Sequence, residues 1–180
     1  MTGGALPAWE REYRTAGADA TRGFAERLAG FLGRGDLLLL TGELGAGKTT
    51  FTQGLGRGLG VRPGIISPTF VLVRQHPNLG DGPDLVHVDA YRLGSEGEID
   101  DIDLESTMDR AVTVVEWGRG LVEHLAESRL EVVLLRAVGG DGAPGGSGAG
   151  LDFSADDDDE ERVIRIAGYG PRWEQAPDLD

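Results

Sequence analysis

A chain of 180 residues with a formal charge of −14 and no cysteine is narrowed before any motif is considered. Its length suits one domain with a real core, and the missing cysteines exclude disulfides and thiolate metal sites. The acidity argues against gripping nucleic acid unaided, because such binding rests on Lys and Arg neutralising phosphates. No apolar run reaches the roughly 18–20 residues of a membrane span. The opening "MTGGALPAWEREYR" lacks the basic-then-apolar order of a secretory signal, so the expectation is a soluble cytoplasmic protein.

In chain order, residues 1–14 read as a flexible polar tail, and a single domain is expected over 15–168. From about Thr15, Phe24, Leu28, Phe31 and Leu32 fall at helical spacing, with Gly33 and Gly35 suited to the stop. "DLLLLTG" is a continuous apolar run, the pattern of a strand covered on both faces in a parallel sheet. "KTTFTQGLGRGLG" predicts a helix ending near Gly60. Its internal glycines each cost about 1 kcal/mol relative to Ala, which implies tight packing against the sheet.

"IISPTFVLVRQH" predicts a loop and then a strand, since Pro68 forces an extended residue before it. "DLVHVDAYRL" is a strand ending at Asp89, and "AVTVVEW" a strand ending at Glu116. Between them lie an acidic loop and a short helix. "LVEHLAES" predicts another short helix and "RLEVVLLRAV" a further strand. Residues 139–161 are Gly-rich and then acidic, an expected flexible insertion. "ERVIRIAG" resumes as a strand antiparallel to "RLEVVLLRAV", and residues 169–180 read as a polar tail. The predicted class is α/β: a P-loop NTPase with a mostly parallel central sheet flanked by helices and an antiparallel C-terminal hairpin.

The chemistry centres on Gly42-Glu43-Leu44-Gly45-Ala46-Gly47-Lys48-Thr49, a match to GxxxxGK[ST] between a predicted strand and helix. Such a loop turns backbone N–H groups inward onto phosphate oxygens, and the helix N-terminus adds partial positive charge. Lys48 would reach the β- and γ-phosphates and the Thr49 hydroxyl would ligate Mg²⁺. Lys48 is also the chain's single lysine against sixteen arginines. A slim ammonium fits this position better than a planar guanidinium.

A phosphate loop needs a carboxylate at a neighbouring strand tip, and both Asp89 and Glu116 qualify. Spacing alone leaves open which touches the metal and which orients water. Ser67 or Thr69 in "ISPTF" could sense the γ-phosphate through a hydroxyl. His87 shares a strand face with Asp89, but the plainer expectation is a hydrogen-bonded core histidine. For Trp117, stacking on a ligand and ordinary packing stand as equals. A guanine-reading NKxD loop is excluded, because Asn78, the sole asparagine, and Lys48 lie far apart in the chain; elimination favours ATP.

Together, "GELGAGKTTFTQGLGRGLG", "SPTF", "HVDAYRL" and "VEW" closely resemble the TsaE (formerly YjeE) ATPases of bacterial tRNA modification, over about Thr15 to Val138. The resemblance implies binding of ATP and Mg²⁺ and work with the TsaD–TsaB pair in forming threonylcarbamoyladenosine (t6A) in tRNAs that read codons beginning with A. It implies that such a protein cycles the complex by weak ATP hydrolysis rather than transferring the group, meeting tRNA only indirectly. Carried onto this chain, it makes Thr49 and Glu116 the Mg²⁺ ligands. Gly45, Ala46, Gly47, Lys48, Thr49 and Thr50 become the phosphate shell behind Gly42, and Asp89 serves hydrolysis. The segment from Thr15 to Ala18 approaches the base through its backbone. Where relatives carry a "GR" pair before the last strand, this chain has "DDEER", leaving Arg162 a weak nucleotide candidate. The alternatives are a small-molecule P-loop kinase, which would have to recruit Arg92, Arg110 or Arg119, and a nucleotide-gated binding module without useful turnover.

Overall fold

A computed structural model describes residues 5–43, 45–66, 72–91, 93–137 and 160–180. The chain forms β1 (Trp9–Ala16), α1 (Ala18–Ala29), β2 (Leu37–Gly42), α2 (Lys48–Leu59), β3 (Val73–His76) and β4 (Asp84–Asp89). After these come α3 (Glu96–Ile102), α4 (Glu105–Met108), β5 (Ala111–Glu116), β6 (Arg129–Arg136) and β7 (Glu161–Tyr169), with single 3₁₀ turns at Glu123–Leu125 and Pro171–Trp173. One seven-stranded sheet runs β1-β7-β6-β2-β5-β4-β3. Its middle strands, β6, β2, β5 and β4, are parallel. The outer pairs β6–β7, β7–β1 and β4–β3 are antiparallel. The expected mixed α/β architecture and C-terminal antiparallel pair are thus observed.

β2 explains the sheet's depth. All four leucines of "LLLL" are buried because Leu38 and Leu40 face one hydrophobic core and Leu37 and Leu39 the other. Burying each such side chain contributes about 1.5–3 kcal/mol. The first core holds Phe24 and Leu28 of α1 with Phe51 and Leu55 of α2; the second holds Ile99, Leu104 and Met108 beside Val86 and Val88. Strand alternation therefore places Leu85, His87 and Asp89 of β4, and Val112, Val114 and Glu116 of β5, on the α2 side.

The internal glycines of α2 serve packing, but two of them pack against a helix rather than the sheet. A Cβ on Gly54 would lie 2.3 Å from the Arg22 carbonyl oxygen, and one on Gly58 2.6 Å from that of Glu26. α1 and α2 therefore touch backbone to backbone. Gly56, on the other side, faces Ile65 and Val61.

Four expectations need correction. The segment read as an N-terminal tail is largely β1, which pairs with β7 from Trp9↔Gly168 to Ala16↔Glu161. Charged residues mask its alternation: Trp9, Tyr13 and Thr15 turn inward, and Trp9 donates Nε1–H to the Trp173 carbonyl at 2.8 Å. Because β1 runs through Ala16, α1 starts only at Ala18 and stops at Ala29, which leaves Phe31 40% exposed. The C-terminal segment is not a polar tail either. Trp173 and Leu179 are buried, and the Arg172 guanidinium donates to Asp36 and to the Phe31 carbonyl. "LVEHLAES" makes only the 3₁₀ turn, too short a run to cover the sheet as a helix. The insertion, apart from Glu160 and Glu161, lies outside the described residues; Glu161 already belongs to β7.

Candidate functional site

The glycine loop begins where β2 ends. Gly45 (φ 79°) and Gly47 (φ 100°) occupy left-handed backbone that L side chains rarely adopt, and Gly47 caps α2. Gly42 is buried against β6: a Cβ there would meet the Leu134 carbonyl oxygen at 2.9 Å. Ala46 is buried beneath the loop, and its N–H donates to the Glu43 carbonyl at 3.0 Å. Leu44 lies outside the described residues.

Lys48 opens α2 and bends back over the loop, its ammonium donating to the carbonyls of Gly42 and Glu43. Burial lowers its pKa below the ordinary lysine value, while the carboxylates of Glu116 and then Asp89 act the other way. Both predicted acids thus lie within electrostatic reach of the same ammonium. β-Pairing puts them there, since Asp89 is the register partner of Glu116 and Glu116 that of Leu40, on the strand that feeds the loop. Glu116 is only 3% exposed, and Asp89 is half-buried with its carboxylate accepting the Tyr91 N–H at 2.9 Å. Thr49 and Thr50 stand half-buried on the first turn of α2.

Trp117 follows Glu116 with φ 60°, a left-handed conformation costly for a bulky residue, of order 1–3 kcal/mol. Its N–H donates to the Leu40 carbonyl at 3.2 Å. The strained turn carries its ring to 5.0 Å from the Lys48 ammonium and edge-on to Tyr91 at 5.7 Å. It neither sinks into the core nor stands alone.

Two arginines complete the rim. Arg162 is buried and donates to the Gly45 carbonyl at 3.3 Å, and Arg136 donates to the same oxygen at 3.3 Å. The Glu160 carboxylate accepts from Arg162 at 3.0 Å. Arg136 was missed in the sequence. The available signal was its place at the tip of an apolar run, which becomes a strand adjoining the loop strand. Arg162 is also the β-pairing partner of Thr15, so the β1–α1 junction lies along this rim. The Thr15 hydroxyl is buried against that of Thr21 at 2.7 Å, and Ala18 begins α1 beyond Gly17.

His87 is not part of the glycine loop; it is fully buried as expected, yet neither ring nitrogen has a hydrogen-bond partner among the described residues. Arg119 is engaged with Glu131 at 3.3 Å, and Arg110 is exposed after α4. Ser67, Thr69 and Arg92 lie outside the described residues. Among those described, no three acidic or histidine side chains gather as a ready-made metal cage. Thr49 and Glu116 nevertheless offer the hard oxygen donors Mg²⁺ prefers, and Mg²⁺ commonly takes its remaining ligands from phosphates and water. No helix among the described residues is long and apolar enough to cross a membrane.

A buried carboxylate, a half-buried lysine and a left-handed glycine loop thus stand together at one end of the parallel strands of a mixed α/β sheet. Residues 15–139 match the family described as threonylcarbamoyl adenosine biosynthesis protein TsaE, and the chain belongs to that family. It is 51% identical to the tRNA threonylcarbamoyladenosine biosynthesis protein TsaE of Streptomyces coelicolor, covering 86% of this chain and 95% of that protein. The Bacillus subtilis protein of the same name is 35% identical, over 91% of this chain and 89% of its own. The crystal structure of Bacillus subtilis YdiB superposes with a TM-score of 0.65 at 30% identity, covering 95% of this chain and 93% of that one.

Proposed function

We propose that this protein is a P-loop ATPase that binds ATP with Mg²⁺ at the glycine loop and hydrolyses it to support t6A formation in tRNAs reading codons that begin with A. It acts in the cytoplasm with homologues of TsaD and TsaB, cycling their complex rather than transferring the threonylcarbamoyl group. Family membership supports the pathway. The observation that carries the chemistry is the side-by-side placement of Asp89 and Glu116 at the ends of paired strands, both within electrostatic reach of Lys48.

The chain's own groups have distinct tasks. The loop amides from Gly45 to Thr50 hold the phosphates, and Lys48 exchanges its contacts with Gly42 and Glu43 for phosphate oxygens. That exchange leaves an ammonium in a partly dehydrated setting, where each phosphate contact is stronger than in water. Thr49 and Glu116 would hold Mg²⁺, which offsets phosphate charge when bound. Asp89 would serve hydrolysis by orienting, or accepting a proton from, an attacking water, and its shallower burial relative to Glu116 supports that role. The β1–α1 junction at Thr15 to Ala18 approaches the adenine through its backbone. With a net charge of −14, contact with tRNA is assigned to the partners.

The test is ATP hydrolysis by the purified chain, alone and with its cognate TsaD and TsaB, alongside t6A in cells carrying Glu116→Ala. The expected results are slow hydrolysis alone, strong stimulation by the partners and loss of t6A. An unstimulated rate together with retained t6A contradicts the proposal.

A further inference from the structure

The α2 side of the sheet holds polar atoms that the ATPase scheme leaves unused. Arg74 Nε, His76 Nε2 and both nitrogens of His87 are buried without hydrogen-bond partners among the described residues. They are neighbours. Arg74 on β3 is the direct register partner of His87 on β4, so the two share a face, and His76 lies two residues from Arg74 on that same face. His87 in turn points its Nε2 at the Glu116 carboxylate across 3.6 Å.

That distance is too long for a hydrogen bond but is closed by a sub-ångström movement. Leaving a buried donor or acceptor unmade costs about 1–3 kcal/mol per group. A hydrocarbon of similar shape would fill this space without that cost, so packing alone gives no reason for an imidazole here. Carboxylate ligands are commonly held by an outer hydrogen bond that fixes which oxygen is offered, and losing such a partner weakens metal binding about 10–100-fold.

We infer that His87 is a positioning residue: it donates Nε2–H to one oxygen of Glu116, so that the other oxygen is presented toward Thr49 and the glycine loop. Arg74, opposite on β3, supplies the N–H that can occupy His87 Nδ1 and so fixes the tautomer with its proton on Nε2. This rests on the ATP·Mg²⁺ reading of the loop. It adds a residue whose contribution appears in the metal dependence and not in the grip on nucleotide itself.

The test uses the full chain and a fluorescent adenine nucleotide titrated with and without Mg²⁺. His87→Leu is expected to raise the half-saturating Mg²⁺ concentration about 10–100-fold, with affinity in chelator unchanged. His87→Gln, which keeps an N–H donor, should recover most of the loss. In a Glu116→Gln background His87→Leu should add nothing. A folded His87→Leu protein with the wild-type Mg²⁺ requirement overturns the inference. Should that variant not fold, nitrogen-resolved proton spectra of the wild type decide: a protonated Nε2 on His87 that sharpens with Mg²⁺ and nucleotide supports it, and an unprotonated Nε2 overturns it. A wild-type chain that takes up no nucleotide at all overturns the ATP reading and this inference together. Nucleotide uptake with an unshifted Mg²⁺ requirement in His87→Leu overturns the inference alone.

Discussion

Asp89 and Glu116 are register partners across β4 and β5, and both carboxylates act on one ammonium, that of Lys48. They differ in depth, Glu116 being buried and Asp89 half-buried. Different depth implies different work, and the two can be separated by experiment. Asp89→Asn should lower kcat about 10²–10⁴-fold, the range for a lost general base, while nucleotide affinity stays within a few-fold. Glu116→Gln should chiefly raise the Mg²⁺ requirement. Rates at saturating and limiting Mg²⁺ distinguish these outcomes; identical profiles for both variants would show that the acids are not specialised.

Lys48 is held below its ordinary pKa mainly by burial, so its charge is a burden on the folded protein. Lys48→Met removes that burden together with two bonds to loop carbonyls, and the two effects oppose each other. Thermal unfolding should therefore move by less than about 3 °C, the equivalent of roughly 1 kcal/mol for a chain of this size. If the loop holds nucleotide as proposed, ATP and Mg²⁺ should raise the Tm of the wild type, and that rise should vanish in the variant. A variant still stabilised by nucleotide would contradict the proposed phosphate-binding role of Lys48.

Arg136 and Arg162 both donate to the Gly45 carbonyl. Arg136 is the more exposed of the two, so Arg136→Ala is the cleaner probe of loop preorganisation. It should weaken ATP binding about 5–10-fold, in line with one lost charge-assisted contact of about 1–1.5 kcal/mol, with little change in Tm. Calorimetric titration measures this directly. Unchanged affinity would mean that the rim does not order the loop.

The same substitution should have opposite signs in the two helices. Gly23→Ala in α1 meets nothing within 4 Å and should stabilise by about 0.5–1 kcal/mol through helix propensity. Gly54→Ala would press a methyl into the Arg22 carbonyl of α1 and the Ala25 side chain. Overpacking costs of about 1–3 kcal/mol exceed the propensity gain, so this variant should unfold more easily. Chemical denaturation of both proteins checks the pair.

His124 ties the 3₁₀ turn to α3 through Asp100 at 3.1 Å, and that hydrogen bond raises the imidazole pKa above its ordinary value. A raised folded-state pKa stabilises the protein fully below the unfolded value of about 6.5. The contribution fades as pH climbs through the higher folded value. The site is well exposed, so the effect stays under about 0.5 kcal/mol. Asp100→Asn should abolish this small excess of stability at acid over neutral pH, as read from urea midpoints.

The sequence displays the glycine loop, the four parallel strands and the acids at their tips plainly, because each is written locally: an apolar run, a turn of glycines, a charge where the run stops. β1 was hidden because three of its inward positions alternate with charges at a sheet edge, and only pairing with β7 gives that alternation meaning. The packed C-terminal segment was hidden for a similar reason: Trp173 and Arg172 find their partners more than a hundred residues upstream. Arg136 joins the loop only because β6 lies beside β2, a neighbour relation that spacing along the chain does not carry. His87 has the sequence setting of an ordinary core histidine; only the folded chain sets its unpartnered nitrogens beside Glu116.

The most direct measurement is equilibrium binding of labelled ATP to the wild-type chain and to Lys48→Ala, each with Mg²⁺ and with chelator. Saturable uptake by the wild type that tightens with Mg²⁺ and disappears in the variant is the predicted result. Equal uptake by both proteins, or none by either, would contradict the assignment of the glycine loop as the seat of the protein's chemistry.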